Sequence, residues 1–177
     1  MKKIIGLLMV VVTCMMVGCN TVNSAIYSSR NLNIAVVGEI PTVRENVITF
    51  DKVSFSDLEK EKFSNRYDAV FISKENLSEA SKGEYSYIYK KSTIPFFFIG
   101  GTKDYVPFVY ENLSYEEVPD SKSQAYAVGI LFNDEEYNYV EYGLYNDTEN
   151  KKNIEDVYSR IFKSIDEKQL LSEEEQV

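Results

Sequence analysis

Apolar and polar positions fall into three regimes along this chain. Residues 4–17 form an almost unbroken apolar run, residues 20–31 are polar, and from residue 33 short apolar runs alternate with charged and turn-forming stretches. A continuous apolar run bounded by turn signals predicts a buried strand. Three occur, at residues 34–37 before Gly38, at 67–72, and at 95–99 before Gly100 and Gly101. Residues 47–50 and 53–55 are β-branched and aromatic and predict one more strand, bent around Asp51 and Lys52. Its link to the first strand is only about six residues, where a parallel crossover takes a dozen or more, so the two are expected to pair antiparallel.

Helical signals fill the gaps. Ser56 and Glu59 match the capping box, in which the two side chains satisfy each other's free amides, and predict a short helix to residue 64. Asn76 with Glu79 offers a second start. A helix from there to residue 91 would gather Leu77, Ala80, Tyr85, Ile88 and Tyr89 near one face, with Gly83 as its weak point. Ile154, Val157, Tyr158, Ile161, Phe162 and Ile165 recur at helical spacing behind a cap region at Asn146, Asp147 and Thr148, and predict the clearest helix of all. Residues 125–132 and 138–145 read as a hairpin around a five-residue loop. Residues 102–124 carry Pro107 and Pro119, follow no period, and form a long irregular segment.

Strands alternating with helices imply right-handed crossovers in an α/β arrangement. The expected fold class is therefore α/β: a single domain over residues 33–168, with a mixed, mostly parallel central sheet, flanking helices, and a C-terminal hairpin plus helix. An acidic, frayed tail at residues 169–177 follows.

The N-terminal regime changes the picture from fold to address. Lys2 and Lys3, the apolar run, and a small residue before a polar stretch make up the layout of a secretory signal peptide. This run of 14 residues would span about 21 Å as a helix, short of a hydrocarbon core of about 30 Å, so a membrane-spanning helix is disfavoured. Met16-Val17-Gly18-Cys19 resembles the lipobox of bacterial lipoproteins, departing from it in Met16, usually Leu, and Val17, usually Ala or Ser. Cys14, behind Val12 and Thr13, is the competing cysteine, and a plain signal peptide with an incidental cysteine is the other alternative.

The resemblance implies that residues 1–18 are removed and that Cys19 is the lipidation site, acylated with diacylglyceryl and palmitate. Two acyl chains anchor stably where one gives only marginal binding, so the protein is expected on the cell membrane, facing outside the cytoplasm. Residues 19–32 become the lipidated Cys and a polar tether, reaching roughly 40 Å when extended. The remaining chain resembles small lipoproteins of Gram-positive bacteria, a likeness that carries no activity with it.

Composition narrows the chemistry. There is no histidine, and the only cysteines are Cys14 and Cys19. Ser-His-Asp and Cys-His catalysis and His-ligated zinc are thereby excluded. Removal of residues 1–18 takes the formal charge from −9 to −11, which argues against nucleic acid and against anionic lipid headgroups as partners and permits cationic or neutral ligands. No phosphate-binding glycine loop, dinucleotide fingerprint or EF-hand loop occurs. No cofactor and no metal are expected, and oligomeric state stays open.

What remains is position. In open α/β sheets, ligands bind outside the carboxyl ends of the strands. Those ends carry Glu39, Lys74, Glu75, Gly100, Gly101, Thr102 and Asp104, the candidate ligand-binding residues, of which Glu39, Glu75 and Asp104 are a candidate acid/base or hard-cation group. The chain also holds 14 tyrosines and no tryptophan. Tyr105, Tyr110 and Tyr115 in the irregular segment are candidates for an exposed aromatic face that meets a glycan, a peptide or a protein. Asp134, Glu135 and Glu136 read as a solvated turn, and Asp147 and Glu149 as a favourably charged helix start.

The expectation is a membrane-anchored, non-catalytic binding or accessory protein. Two alternatives stand beside it. One is a carboxylate-based cell-envelope hydrolase; the other is a structural subunit of an envelope complex.

Overall fold

A computed structural model describes residues 24–60, 63–133 and 136–171. The signal run, the lipobox with Cys19, residues 20–23 of the expected tether, Asp134 and Glu135, and the tail from residue 172 lie outside the described residues.

Six strands form one mixed sheet in the order β2-β1-β3-β4-β5-β6, built from β1 (Leu32–Val37), β2 (Ile48–Val53), β3 (Ala69–Ile72), β4 (Phe96–Ile99), β5 (Ala125–Asn133) and β6 (Glu136–Gly143). The first four are parallel, and β5 and β6 each join antiparallel. The helices are α1 (Phe55–Leu58), α2 (Leu77–Ala80), α3 (Gly83–Lys91), α4 (Val106–Val109) and α5 (Lys151–Asp166). The chain is thus α/β, with the hairpin and long helix at its C-terminal end.

Period-two alternation divides the core into two layers. Ala35, Val37, Val70, Ile72, Phe96 and Phe98 point to one side of the sheet, where α1 to α4 pack. Leu32, Ile34, Val36, Phe71, Phe97 and Ile99 point to the other, against Val157, Tyr158, Ile161 and Phe162 of α5. The first face thus carries α1 to α4, and the second face carries α5.

The antiparallel pairing expected of β1 and β2 is overturned: they are parallel, with Leu32 opposite Ile48 and Val37 opposite Val53. The second strand starts later than its first β-branched residue, so ten residues, 38–47, link the two. Extended, they span about 33 Å, well above the roughly 20 Å length of a six-residue strand. Extended chain therefore replaces a helix here, laying Val43 and Val47 against the second face. This crossover moves outward over the second face, whereas those from β2 to β3 and β3 to β4 move the other way over the first. Reversing direction and face together keeps one handedness throughout.

Other boundaries shift for local reasons. The cap of α1 is Ser54, not Ser56: its N–H and hydroxyl donate to Asp57 Oδ2 at 2.8 and 2.7 Å. The helix expected over residues 76–91 breaks into α2 and α3 just ahead of Gly83. The last helix starts at Lys151 because Asn150 accepts from the Asn153 N–H at 2.9 Å. In the hairpin, Asn133 pairs with Glu136, so the strands close further than the five-residue loop expected. Gly129 of β5 faces Phe97 across the ladder; a Cβ there would meet its ring at 2.5 Å, so the glycine makes room for a buried aromatic.

The domain is also wider than residues 33–168. From Ser24 the chain lies along α5 as a strap: Ser24 N–H donates to Asp156 Oδ1 at 3.0 Å, Tyr27 is buried beside Phe162, and Arg30 pairs with Asp166 at 2.7 Å and Asp68 at 2.8 Å. At the other end, Leu170 is buried in the same layer, and its carbonyl accepts from Asn138 Nδ2 at 3.1 Å. Among the described residues, no helix is long and apolar enough to cross a membrane.

Phe71 is the hub of the second face, 1% exposed and in contact with the rings of Phe50, Phe97, Tyr158 and Phe162 at centroid distances of 5.6–6.3 Å. Phe71→Ala should cost about 3–5 kcal/mol through lost transfer energy and the cavity left behind, read as a lower urea midpoint.

Candidate functional site

The order β2-β1-β3-β4 places a topological switch point between β1 and β3, where the chain leaves the two strands toward opposite faces. In open sheets this crevice is where ligands enter. Gly38 closes β1 with φ 108°, a region that suits glycine because it lacks a Cβ. Its neighbours give a second reason. A Cβ on Gly38 would sit 1.8 Å from Ser73 Oγ, 2.4 Å from Asn76 Nδ2 and 2.6 Å from Glu75 Oε1.

Those three side chains fill the crevice. The backbone N–H of Glu39 donates to Glu75 Oε1 at 2.9 Å and to Ser73 Oγ at 3.0 Å. Ser73 Oγ in turn donates to Glu75 Oε1 at 2.6 Å. A carboxylate of the chain itself therefore sits where a bound anion would accept such donors. The Ser73 hydroxyl, above all, holds the Glu75 carboxyl below its ordinary range, aided by the Glu39 amide and the charge of Lys52 against the opposing effect of burial. Outside this contact lies an open groove of about 640 Å³ lined by Glu39, Ile40, Lys52, Ser54, Phe55 and Glu75.

The other predicted residues form a separate group. Lys74 lies across Gly100, whose φ is 77° and whose absent Cβ would be 3.2 Å from Lys74 Cβ. Gly101 faces Leu77 and the Tyr115 hydroxyl. Thr102 Oγ1 donates to Asp120 Oδ1 at 2.5 Å, and Lys103 Nζ reaches the same oxygen at 2.8 Å. Lys103 first, then Thr102, holds the Asp120 carboxyl below its ordinary value. Asp104 Oδ1 accepts from the Val106 N–H at 3.0 Å and so starts α4. Glu39 and Glu75 are thus brought together, while Asp104 is spent on a helix start and is absent from the groove they line. No group of three or more acidic, His or Cys side chains suited to a metal exists among the described residues.

The tyrosine expectation is partly redrawn. Tyr115 is a strut: its hydroxyl accepts from the Thr102 N–H at 3.1 Å, and its own N–H donates to Ser81 Oγ at 2.9 Å. Tyr105 instead meets Tyr137 and Tyr139 of β6, at centroid distances of 5.4 and 4.1 Å. Burial, followed by interaction with Tyr110 and Tyr105, pushes the Tyr137 phenol well up. Tyr110 completes the group, 51% exposed. Four tyrosines therefore share the first face at the β6 edge. Tyr137 and Tyr139 escaped the sequence reading because Tyr137 was assigned to the hairpin loop; with both on β6, their spacing of two puts them on one side.

Compared with protein-family models, curated proteins and solved structures, the chain matches none.

Two outcomes test the crevice. Gly38→Ala should lower stability by at least about 1–3 kcal/mol from the backbone conformation alone, measured by urea unfolding. Glu75 has a depressed carboxyl. Its contribution is therefore complete above the unfolded value and disappears as pH falls through the folded one. Thermal melts of wild type and Glu75→Gln should differ most at neutral pH and converge as the pH falls below the ordinary carboxylate range.

Proposed function

We propose that this chain is a lipid-anchored protein, held at Cys19 on the membrane surface outside the cytoplasm, and that it acts there as a non-catalytic binding or accessory module. The observation that carries the reading is the coincidence of Met16-Val17-Gly18-Cys19 with the end of an apolar run that follows Lys2 and Lys3. Acylation at that position supplies the membrane affinity that a 14-residue run is too short to supply as a span.

The arrangement of the strand ends supports a binding role over hydrolysis. Two-carboxylate hydrolysis needs an acid and a base flanking one bond, within about 10 Å. Glu75 is held ionised by donors of its own chain, and Asp104 is committed to the start of α4. The four-tyrosine group offers the other surface, with amphipathic rings suited to a glycan, a peptide or a protein.

Growth with an alkyne-tagged fatty acid should label the wild-type chain and leave Cys19→Ala unlabelled, with the variant moving from the membrane pellet to the soluble fraction. Equal labelling of the two would remove the anchor and, with it, the proposed location.

A further inference from the structure

The strap fixes where the chain leaves the domain. Asp156 and Lys163 are two turns apart on the side of α5 opposite the core stripe of Val157, Ile161 and Ile165. Ser24 is bound to Asp156 through both its N–H and its hydroxyl, and Arg44 Nη2 donates to the Ser24 carbonyl at 3.0 Å. The exit is therefore on the outermost layer of the second face. Only residues 20–23 separate Ser24 from Cys19, a reach of about 18 Å when fully extended.

That reach is short against the domain. Helix, sheet and helix stacked at about 10 Å per layer place the first face some 30 Å from the exit. A tether of this length keeps the second face toward the lipid and does not extend around to the first. Charge agrees with length. The strap and α5 together carry five basic and three acidic residues, in a chain whose formal charge after loss of residues 1–18 is −11. In a chain of negative overall charge, this is the side that headgroup phosphates repel least. Lys163 is 68% exposed and Ile26, two residues past the strap's first contact, is 55% exposed.

We propose that the outer surface of α5 and the strap lie against the bilayer that holds the Cys19 lipid, with the tyrosine group on the first face directed away from it. The inference rests on the anchor reading above and adds the orientation. It replaces a long swinging tether with a short one and makes the first face the surface open to partners.

The mature chain has no thiol other than Cys19, so single cysteines report position without background. Ile26→Cys and Tyr87→Cys start from similar exposure, 55% and 58%, on opposite faces. In intact membranes, a bulky polyethylene-glycol maleimide should modify Ile26→Cys several-fold more slowly than Tyr87→Cys, and detergent should abolish the difference. Lys163→Cys, farther along the outer side of α5, should behave like Ile26→Cys. Equal rates in membranes, with Cys19 still labelled by the fatty-acid probe, would overturn the orientation and leave the anchor standing. Equal rates with no labelling of Cys19 would overturn both.

Discussion

Asp156 lies on the outer side of α5 yet is 5% exposed, and it accepts from Ser24 and from Arg160 Nε at 3.0 Å. Burial alone would raise its carboxyl; the Ser24 donors and then Arg160 outweigh that and lower it, so the group is an ionised carboxylate inside the fold. Much of the second face depends on it. A single long helix covers that face of a six-stranded sheet, and the remaining area is closed by extended chain, the strap and the crossover 38–47. Extended chain has no hydrogen bonds of its own to satisfy buried backbone, so it must borrow partners. Asp156 supplies a partner to the strap, and Arg44 of the crossover donates to the strap at the Ser24 carbonyl and to α5 at Ser159 Oγ, both at 3.0 Å. Glu45 completes the set, buried against Ser159 with Arg44 at 3.7 Å, although its Oε2 has no hydrogen-bond partner among the described residues. An incompletely paired buried carboxylate costs stability; here it accompanies a crossover built without a helix.

The same economy explains what sequence pattern reveals and what it hides. β3, β4 and α5 were legible because both faces of the strands and one stripe of the helix are buried, and burial writes an apolar period into the residues. Phe71, Phe97 and Phe162 declare themselves in this way. The crossover was misread because Val43, Arg44 and Glu45 carry no period. The pairing of β1 and β2 then rested on loop length, and loop length depended on where an edge strand begins. The strap was hidden for a related reason: Ser24, Ser28 and Ser29 are the residues of a linker, and only Tyr27 and Arg30 hint at packing. Their partners, Phe162, Asp166 and Asp68, are distant in sequence, and no local signal announces them.

At the candidate site the strand ends were placed correctly as a location, and Gly38 marks it, but the sequence holds no sign that Glu75 fills the crevice from within. That requires a two-residue reach from Ser73 back over β1, a fact of register, not of composition. The tyrosine group has the opposite history. Tyr105 and Tyr110 were visible as aromatic residues in an irregular segment, whereas Tyr137 and Tyr139 joined them only because β6 runs along the sheet edge beside α4.

These two regions differ in what they leave for a partner. At the crevice the amide of Glu39 and the hydroxyl of Ser73 are already engaged, so a ligand entering there must displace a carboxylate at very high effective concentration. At the tyrosine group Tyr110 is half-exposed and Tyr105, Tyr137 and Tyr139 are partly exposed, so a partner gains contact area on aromatic rings that already reach the surface. On desolvation alone, a partner would be met at lower cost on the first face than at the strand ends, where fold analogy would place it.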